Sequence, residues 1–268
     1  MKSSRTIWNV VAIISVSATL FFVGGFAYAV KQILYPTAVS SEATPSKQSP
    51  VKHEIGSSDK ISILALGDSL TAGSGDSTGK GYVVRLKEKL QADTGKQVYV
   101  RNNLSIPGYV TDKLLADVSQ KKTRDAISEA DMILISIGGN DIFAGGAGMF
   151  GTEVEFNPEA AKERVKPALT KLSQIVEQIN QVNPKATVMY LGLYHPFIDM
   201  DSAREGGPIV QAFNLEAFNI MNKYPQMIFV PTYDLFERDG VRFLSLDHFH
   251  PNGDGYERIA DRYAQVLK

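Results

Sequence analysis

One serine in this chain is set up for chemistry by what precedes it. Ile61-Ser62-Ile63-Leu64-Ala65-Leu66 is an apolar run that stops abruptly at Gly67-Asp68-Ser69. Such a run, bounded by a turn signal, suits a strand buried on both faces of a parallel sheet. Residues just past it lie at the carboxyl edge of the sheet, where open α/β folds bind their ligands. A hydroxyl placed there becomes a nucleophile if a base stands within hydrogen-bond reach. The plainer alternative is that Asp68-Ser69 is only a turn or the cap of the next helix. Among the four histidines, His250 in Asp247-His248-Phe249-His250-Pro251 is the leading base. Asp247 lies three residues earlier, so one loop can present both side chains, the carboxylate fixing the imidazole tautomer and stabilising the imidazolium. His195 reads better as a pocket wall or a satisfied polar residue, and His53 as solvated.

Two further stretches matter: Asn102-Asn103-Leu104-Ser105-Ile106-Pro107-Gly108 and Ile137-Gly138-Gly139-Asn140-Asp141. Together with Gly67-Asp68-Ser69-Leu70 and the Asp247 to Pro251 stretch, in this order, they make residues 61–268 resemble the GDSL hydrolases, also called SGNH hydrolases. The resemblance implies that Ser69 is the nucleophile, Gly108 and Asn140 are oxyanion donors, and Asp247 with His250 completes the triad. His248 falls outside the Asp-x-x-His pattern and is not followed by proline. The backbone N–H groups of Ser69 and Gly108 and the side-chain amide of Asn140 would supply three donors to the developing alkoxide. Gly108 has a second reading, as a residue that merely permits an unusual φ. Asp141 is expected to brace Asn140 or cap the next turn, and Asp68 to support the reacting residues from behind or serve the turn rather than take a chemical step.

The resemblance further implies a carboxylic ester hydrolase that works through an acyl-enzyme, and its family spans lipases, lysophospholipases, thioesterases and carbohydrate O-deacetylases. Acyl esters of lipids come first as substrates. O-deacetylation of cell-wall polymers is the alternative, and a non-catalytic surface binding module that retains the fold is a third reading. Phe143, Met149 and Phe150 follow Asn140 in a glycine-laced loop and would form an adaptable apolar wall for an acyl chain, unless they simply pack beneath it. A small-molecule or lipid ester is the expected partner of the site, and the chain is expected to be a monomer.

Several chemistries lack their residues. With 28 Lys and Arg against 29 Asp and Glu, the formal charge is -1 and offers no basic field to nucleic acid. Zero cysteines leave no disulfide, thiol nucleophile or lipidated cysteine. No ligand set has metal-binding spacing, no Gly-x-Gly-x-x-Gly or P-loop follows a strand, and no cofactor is expected. The Gly-x-Ser-x-Gly elbow of α/β-hydrolases is also missing.

The elements that must position these residues alternate. Strands are expected at 61–66, 97–101, 131–137, 186–193 and 227–230, with helices over 78–94, 111–128 with a break, from 158, up to about 224 after a loop holding Gly206, Gly207 and Pro208, and over 253–267. This is a parallel α/β pattern. The resemblance makes it a three-layer αβα, flavodoxin-like sheet of five strands in the order 2-1-3-4-5, which would gather Ser69, Gly108 and Asn140 at neighbouring strand ends. Ahead of it, Lys2 and Arg5 precede an uncharged apolar stretch from Thr6 to Val30, followed by Lys31. That stretch is long enough to span a bilayer, and the flanking charges would keep the start in the cytoplasm and send the rest outside. Residues 1–35 are therefore expected to be a signal-anchor in the cell membrane, 36–60 a flexible polar linker, and 61–268 an extracytoplasmic hydrolase domain. Ala27-Tyr28-Ala29 keeps open the alternative of a signal peptide cleaved near Ala29, with secretion.

Overall fold

Five parallel strands carry the sheet: β1 (Lys60–Gly67), β2 (Gln97–Asn103), β3 (Met132–Ser136), β4 (Thr187–Leu191) and β5 (Met227–Val230). Their order is β2-β1-β3-β4-β5, with β1 and β3 at the centre. In the computed structural model the described residues are 3–34, 59–144, 157–199 and 201–268. Met149, Phe150 and nearly all of the 36–60 linker lie outside them. Two units divide the chain, Met1–Lys52 and His53–Lys268.

The first unit contains α1 (Ser3–Leu34). Within it Trp8–Lys31, 24 residues of mean hydropathy 2.2, is long and apolar enough to cross a membrane by length and composition. Phe21 and Phe22 are more than four-fifths exposed, so this helix has no core of its own to enter.

In the second unit the sheet is covered on both sides because its strands alternate between two apolar faces. Leu64, Leu66, Ile133, Ile135, Val188 and Tyr190 face one layer, made by α4 (Thr111–Val118), α5 (Lys121–Ser128), α7 (Pro158–Val182) and α8 (Gly206–Met221). Ile63, Ala65, Met132, Leu134, Met189 and Leu191 face the other, made by α3 (Gly81–Thr94), α9 (Tyr233–Glu237) and α11 (Gly253–Val266). Tyr82 stacks on Tyr263 at 4.9 Å between ring centroids, locking α3 to α11. The result is a three-layer αβα fold with the expected strand order.

Where boundaries depart from expectation, hydrogen bonds explain it. α3 starts at Gly81 rather than Thr78 because the Asp76 carboxylate accepts from Thr78 N, Thr78 Oγ1 and Gly81 N, winding 76–81 into a turn. β2 continues to Asn103, pairing Asn102 and Asn103 with Leu64 and Ala65 after a register shift. It is an edge strand, where polar residues are tolerated. Gly206, Gly207 and Pro208 are not a loop but the first turn of α8. Asp201 accepts from Glu205 N and Gly206 N at that end, and proline suits a first turn, where its missing N–H is no loss. Three short helices were not expected: α2 (Ser69–Ala72), α6 (Gly139–Ile142) and α10 (Gly240–Phe243). α9, of five residues, was likewise unexpected.

Candidate active site

The site is assembled where β1 and β3 end. At Gly67 the backbone adopts φ +127°, and a Cβ there would lie 1.9 Å from the carbonyl oxygen of Ser136. Glycine thus lets the two strand ends touch, and Asp68 N–H donates to that same oxygen at 3.0 Å. Asp68 then caps α2: its Oδ1 accepts from Leu70 N at 3.0 Å and from Ser136 Oγ at 2.6 Å. Ser136 Oγ gives its proton to Asp68, so the hydroxyl of Thr71, 2.6 Å away, must donate to it, and Tyr82 OH, 2.7 Å from Thr71 Oγ1, must donate in turn. Three hydroxyls thereby point toward one carboxylate. Burial outweighs them and pushes the Asp68 carboxyl up to about 7.

Ser69 opens α2 and is buried. Its Oγ lies 2.8 Å from His250 Nε2, and His250 Nδ1 lies 2.6 Å from Asp247 Oδ2. The other Asp247 oxygen accepts from Ser245 Oγ, Phe249 N and His250 N at 2.6, 2.9 and 2.9 Å. Burial would raise the Asp247 carboxyl, but these bonds and the imidazole hold it down to about 2, so it is charged at any ordinary pH. With Nδ1 donating to this carboxylate, Nε2 is left as the acceptor for the serine proton, which is the arrangement a general base requires. His248 is exposed at φ +53°, and no hydrogen bond ties its side chain to Ser69.

Asn140 stands in the first turn of α6, after Gly138 at φ +110°. Its Nδ2 donates to Tyr109 O at 2.7 Å, which orients the amide and leaves a second hydrogen to offer. Gly108, at φ +83° with open space around it, sits in a loop tied to the same strand end: Leu104 N donates to Ala65 O at 2.8 Å and Ile106 N to Gly67 O at 2.9 Å. Asp141 neither braces Asn140 nor caps the following turn. It accepts from Thr111 N and Thr111 Oγ1, at 2.9 and 2.6 Å, and so caps α4.

Beside Ser69 a pocket of about 20 Å³ is lined by Asn140, Phe143, Leu193, Tyr194 and Phe249. Phe143 is largely buried, stacked on His195 at 6.0 Å and edge-on to Phe197 at 5.3 Å. It is both a pocket wall and a piece of the core. His195 is buried with Nε2 3.0 Å from Asp201 Oδ2. Burial pulls its imidazole down despite that carboxylate. Among the described residues no group of three His, Cys, Asp or Glu is arranged to hold a metal ion.

Sequence reasoning placed Tyr82 only on the apolar face of its helix and gave no part in the site to Ser136, Thr71 or Tyr194; Ser136 bonds Asp68 and Thr71 from more than sixty residues away and Tyr194 bonds Phe249 from fifty-five. Ser245 could have been found, since a hydroxyl two residues before an aspartate in a turn is placed to bond it.

Known proteins resemble this chain in sequence or in fold. YpmR of Bacillus subtilis (strain 168), a protein of uncharacterized activity, is 32% identical over 246 residues, 91% of this chain and 95% of its own. The spore germination lipase LipC of Bacillus licheniformis is 27% identical over 207 residues, 75% and 94%. The crystal structure of the lipase Lip_vut3 from a goat rumen metagenome superposes with a TM-score of 0.68 at 26% identity, covering 78% of this chain and 100% of that one. The model of the GDSL-like lipase/acylhydrolase family matches residues 65–258, from within β1 to within α11 and including both Ser69 and His250, and the chain belongs to that family.

Proposed function

We propose that the chain is a serine esterase that forms an acyl-enzyme on Ser69, with residues 1–35 as a membrane anchor, 36–60 as a linker and 61–268 as an extracytoplasmic catalytic domain. The single observation behind the chemistry is the unbroken line Ser69 Oγ, His250 Nε2, His250 Nδ1, Asp247 Oδ2, at 2.8 and 2.6 Å. Ser69 Oγ attacks the ester carbonyl carbon while its proton passes to His250 Nε2. The tetrahedral oxyanion is held by Ser69 N–H, Gly108 N–H and the Asn140 amide. The C–O bond to the leaving group breaks, and the alkoxide takes the proton from His250. Water then attacks the acyl-serine, gives a proton to His250, and Ser69 recovers it as the acid departs.

Lipid acyl esters are the first substrate class, supported by the aromatic and aliphatic walls beside Ser69 and by likeness to proteins named as lipases. The narrowness of that pocket, about 20 Å³ between its described walls, favours a second reading, carbohydrate O-deacetylation.

A fluorophosphonate should label wild-type protein at Ser69. Ser69→Ala and His250→Ala should each lose nearly all turnover, because residues acting as a unit fail singly, while His248→Ala keeps most of it. An active His250→Ala beside a dead His248→Ala would refute the base. A series of p-nitrophenyl esters run beside acetylated xylan separates the substrate classes: kcat/KM rising with chain length supports the lipid, and preference for the acetylated polymer supports the deacetylase.

A further inference from the structure

The loop that carries Asp247 and His250 is closed on itself. Leu244 and Pro251 form an antiparallel bridge at its neck, Ser245 N donates to His250 O and His248 N to Ser245 O, and the Asp247 carboxylate gathers the rest. Among the described residues, two hydrogen bonds leave residues 245–250 for the rest of the protein. One is His250 Nε2 to Ser69 Oγ. The other is the hydroxyl of Tyr194, which donates to the carbonyl oxygen of Phe249 at 2.6 Å.

Tyr194 is well founded for that task. It follows β4, where Leu193 exchanges two 2.8 Å hydrogen bonds with the side chain of buried Asn214 and Thr232 Oγ1 donates to Gly192 O. Its ring stacks on Phe236 at 4.2 Å. Burial, with the charges of Asp68 and Asp247 nearby, pushes its hydroxyl well above the ordinary tyrosine value, so it remains a donor. Further contacts among the described residues are a ring stack of Phe249 on Phe197 at 5.6 Å, packing of Phe249 against the core, and close packing of Ser245, His250 and Pro251 around Gly75. Such contacts limit approach without fixing direction.

We propose that Tyr194 is the positioning residue for His250 and that it is needed most once Ser69 is acylated. This rests on the acyl-enzyme reading above. In the free enzyme the Ser69–His250 bond helps place the imidazole. In the acyl-enzyme Ser69 Oγ carries no hydrogen, that bond is gone, and Tyr194 provides the hydrogen bond that keeps Nε2 where an attacking water must deliver its proton.

The test separates the two half-reactions in Tyr194→Phe, using stopped-flow release of p-nitrophenol from a short-chain ester for acylation and steady-state turnover for deacylation. Acylation should stay within about threefold of wild type, while deacylation slows by roughly tenfold to a hundredfold, the scale of a small misplacement of a catalytic group. Acyl-enzyme should then accumulate and be visible as added mass on Ser69. Phe236→Leu is the control: it removes the stacked ring but keeps the hydroxyl, and should lower Tm without changing the ratio of the two rates. Equal slowing of both steps in Tyr194→Phe, no slowing of either, or the same shift of ratio in Phe236→Leu would overturn the proposal. A measurement on wild type does not depend on the variant folding. After fluorophosphonate labelling the amides of Phe249 and His250 should stay protected from hydrogen exchange, and their release would also overturn it. Failure of wild type to take the label at Ser69 would instead sink the acyl-enzyme reading beneath it.

Discussion

Asp68 is the residue whose type looks least suited to its place. It is buried, adjoins the serine, and accepts hydrogen bonds from Leu70 N and Ser136 Oγ without a cation among those partners. A carboxyl raised from 3.8 to about 7 binds its proton more tightly in the native chain than in the unfolded one. The contribution of Asp68 to stability therefore falls as pH rises from about 4 to about 7 and levels off above that. Asn caps a helix as well as Asp and keeps an oxygen for both donors. Asp68→Asn should accordingly raise stability by roughly 2–4 kcal/mol at pH 8, with the gain shrinking toward zero near pH 4. Melting curves of both proteins across that range check it; a variant less stable than wild type at pH 8 would contradict a buried, strained charge. Asp247 behaves oppositely. Its carboxyl, held down to about 2, adds stability that is present above 3.8 and lost as pH drops through 2.

At the scale of elements, the turn at Gly67 decides whether the strand ends can meet. Gly67→Ala forces a Cβ against the Ser136 carbonyl and leaves alanine at φ +127°. Strain and overpacking together cost on the order of 3 kcal/mol or more, which at this size lowers Tm by roughly 10 °C. Activity measured well below the new Tm should also fall, because Ser69 follows two residues later. An unshifted Tm would mean that the strands part more easily than their spacing implies. The same scale shows what could be read in advance. The alternation of strands and helices follows from local apolar period, while the strand order and the stretches holding Ser69, Asn140 and His250 follow from the family resemblance that four motifs carry. Asp141 capping α4 from thirty residues away, and Tyr194 reaching Phe249 across fifty-five, leave no local trace. Helices of four or five residues such as α2, α6, α9 and α10 are shorter than the window over which a helical period can be counted. Gly206 and Pro208 carried a signal with two meanings, loop or first turn, and Asp201 decided it.

The whole molecule divides into an apolar helix and a sheet domain with its own two-sided core. A chain beginning at Ser58 should therefore stay soluble without detergent, melt as one cooperative unit, and hydrolyse p-nitrophenyl acetate within about twofold of full-length protein. Loss of folding on removing α1 would show that the core extends into the first unit. Within the sheet domain, Ser69 meets His250 across 181 positions of sequence. During synthesis Ser69 leaves the ribosome early, while Asp247 and His250 follow only after β5. Until then the emerging polypeptide holds Ser69 without the base proposed for it, so fragments that stop short of His250 should bind ester analogues weakly and cleave none. On the acyl-enzyme reading proposed above, the order of the elements would act as a timer, leaving Ser69 without its partner until nearly all of the sheet that supports it has been made.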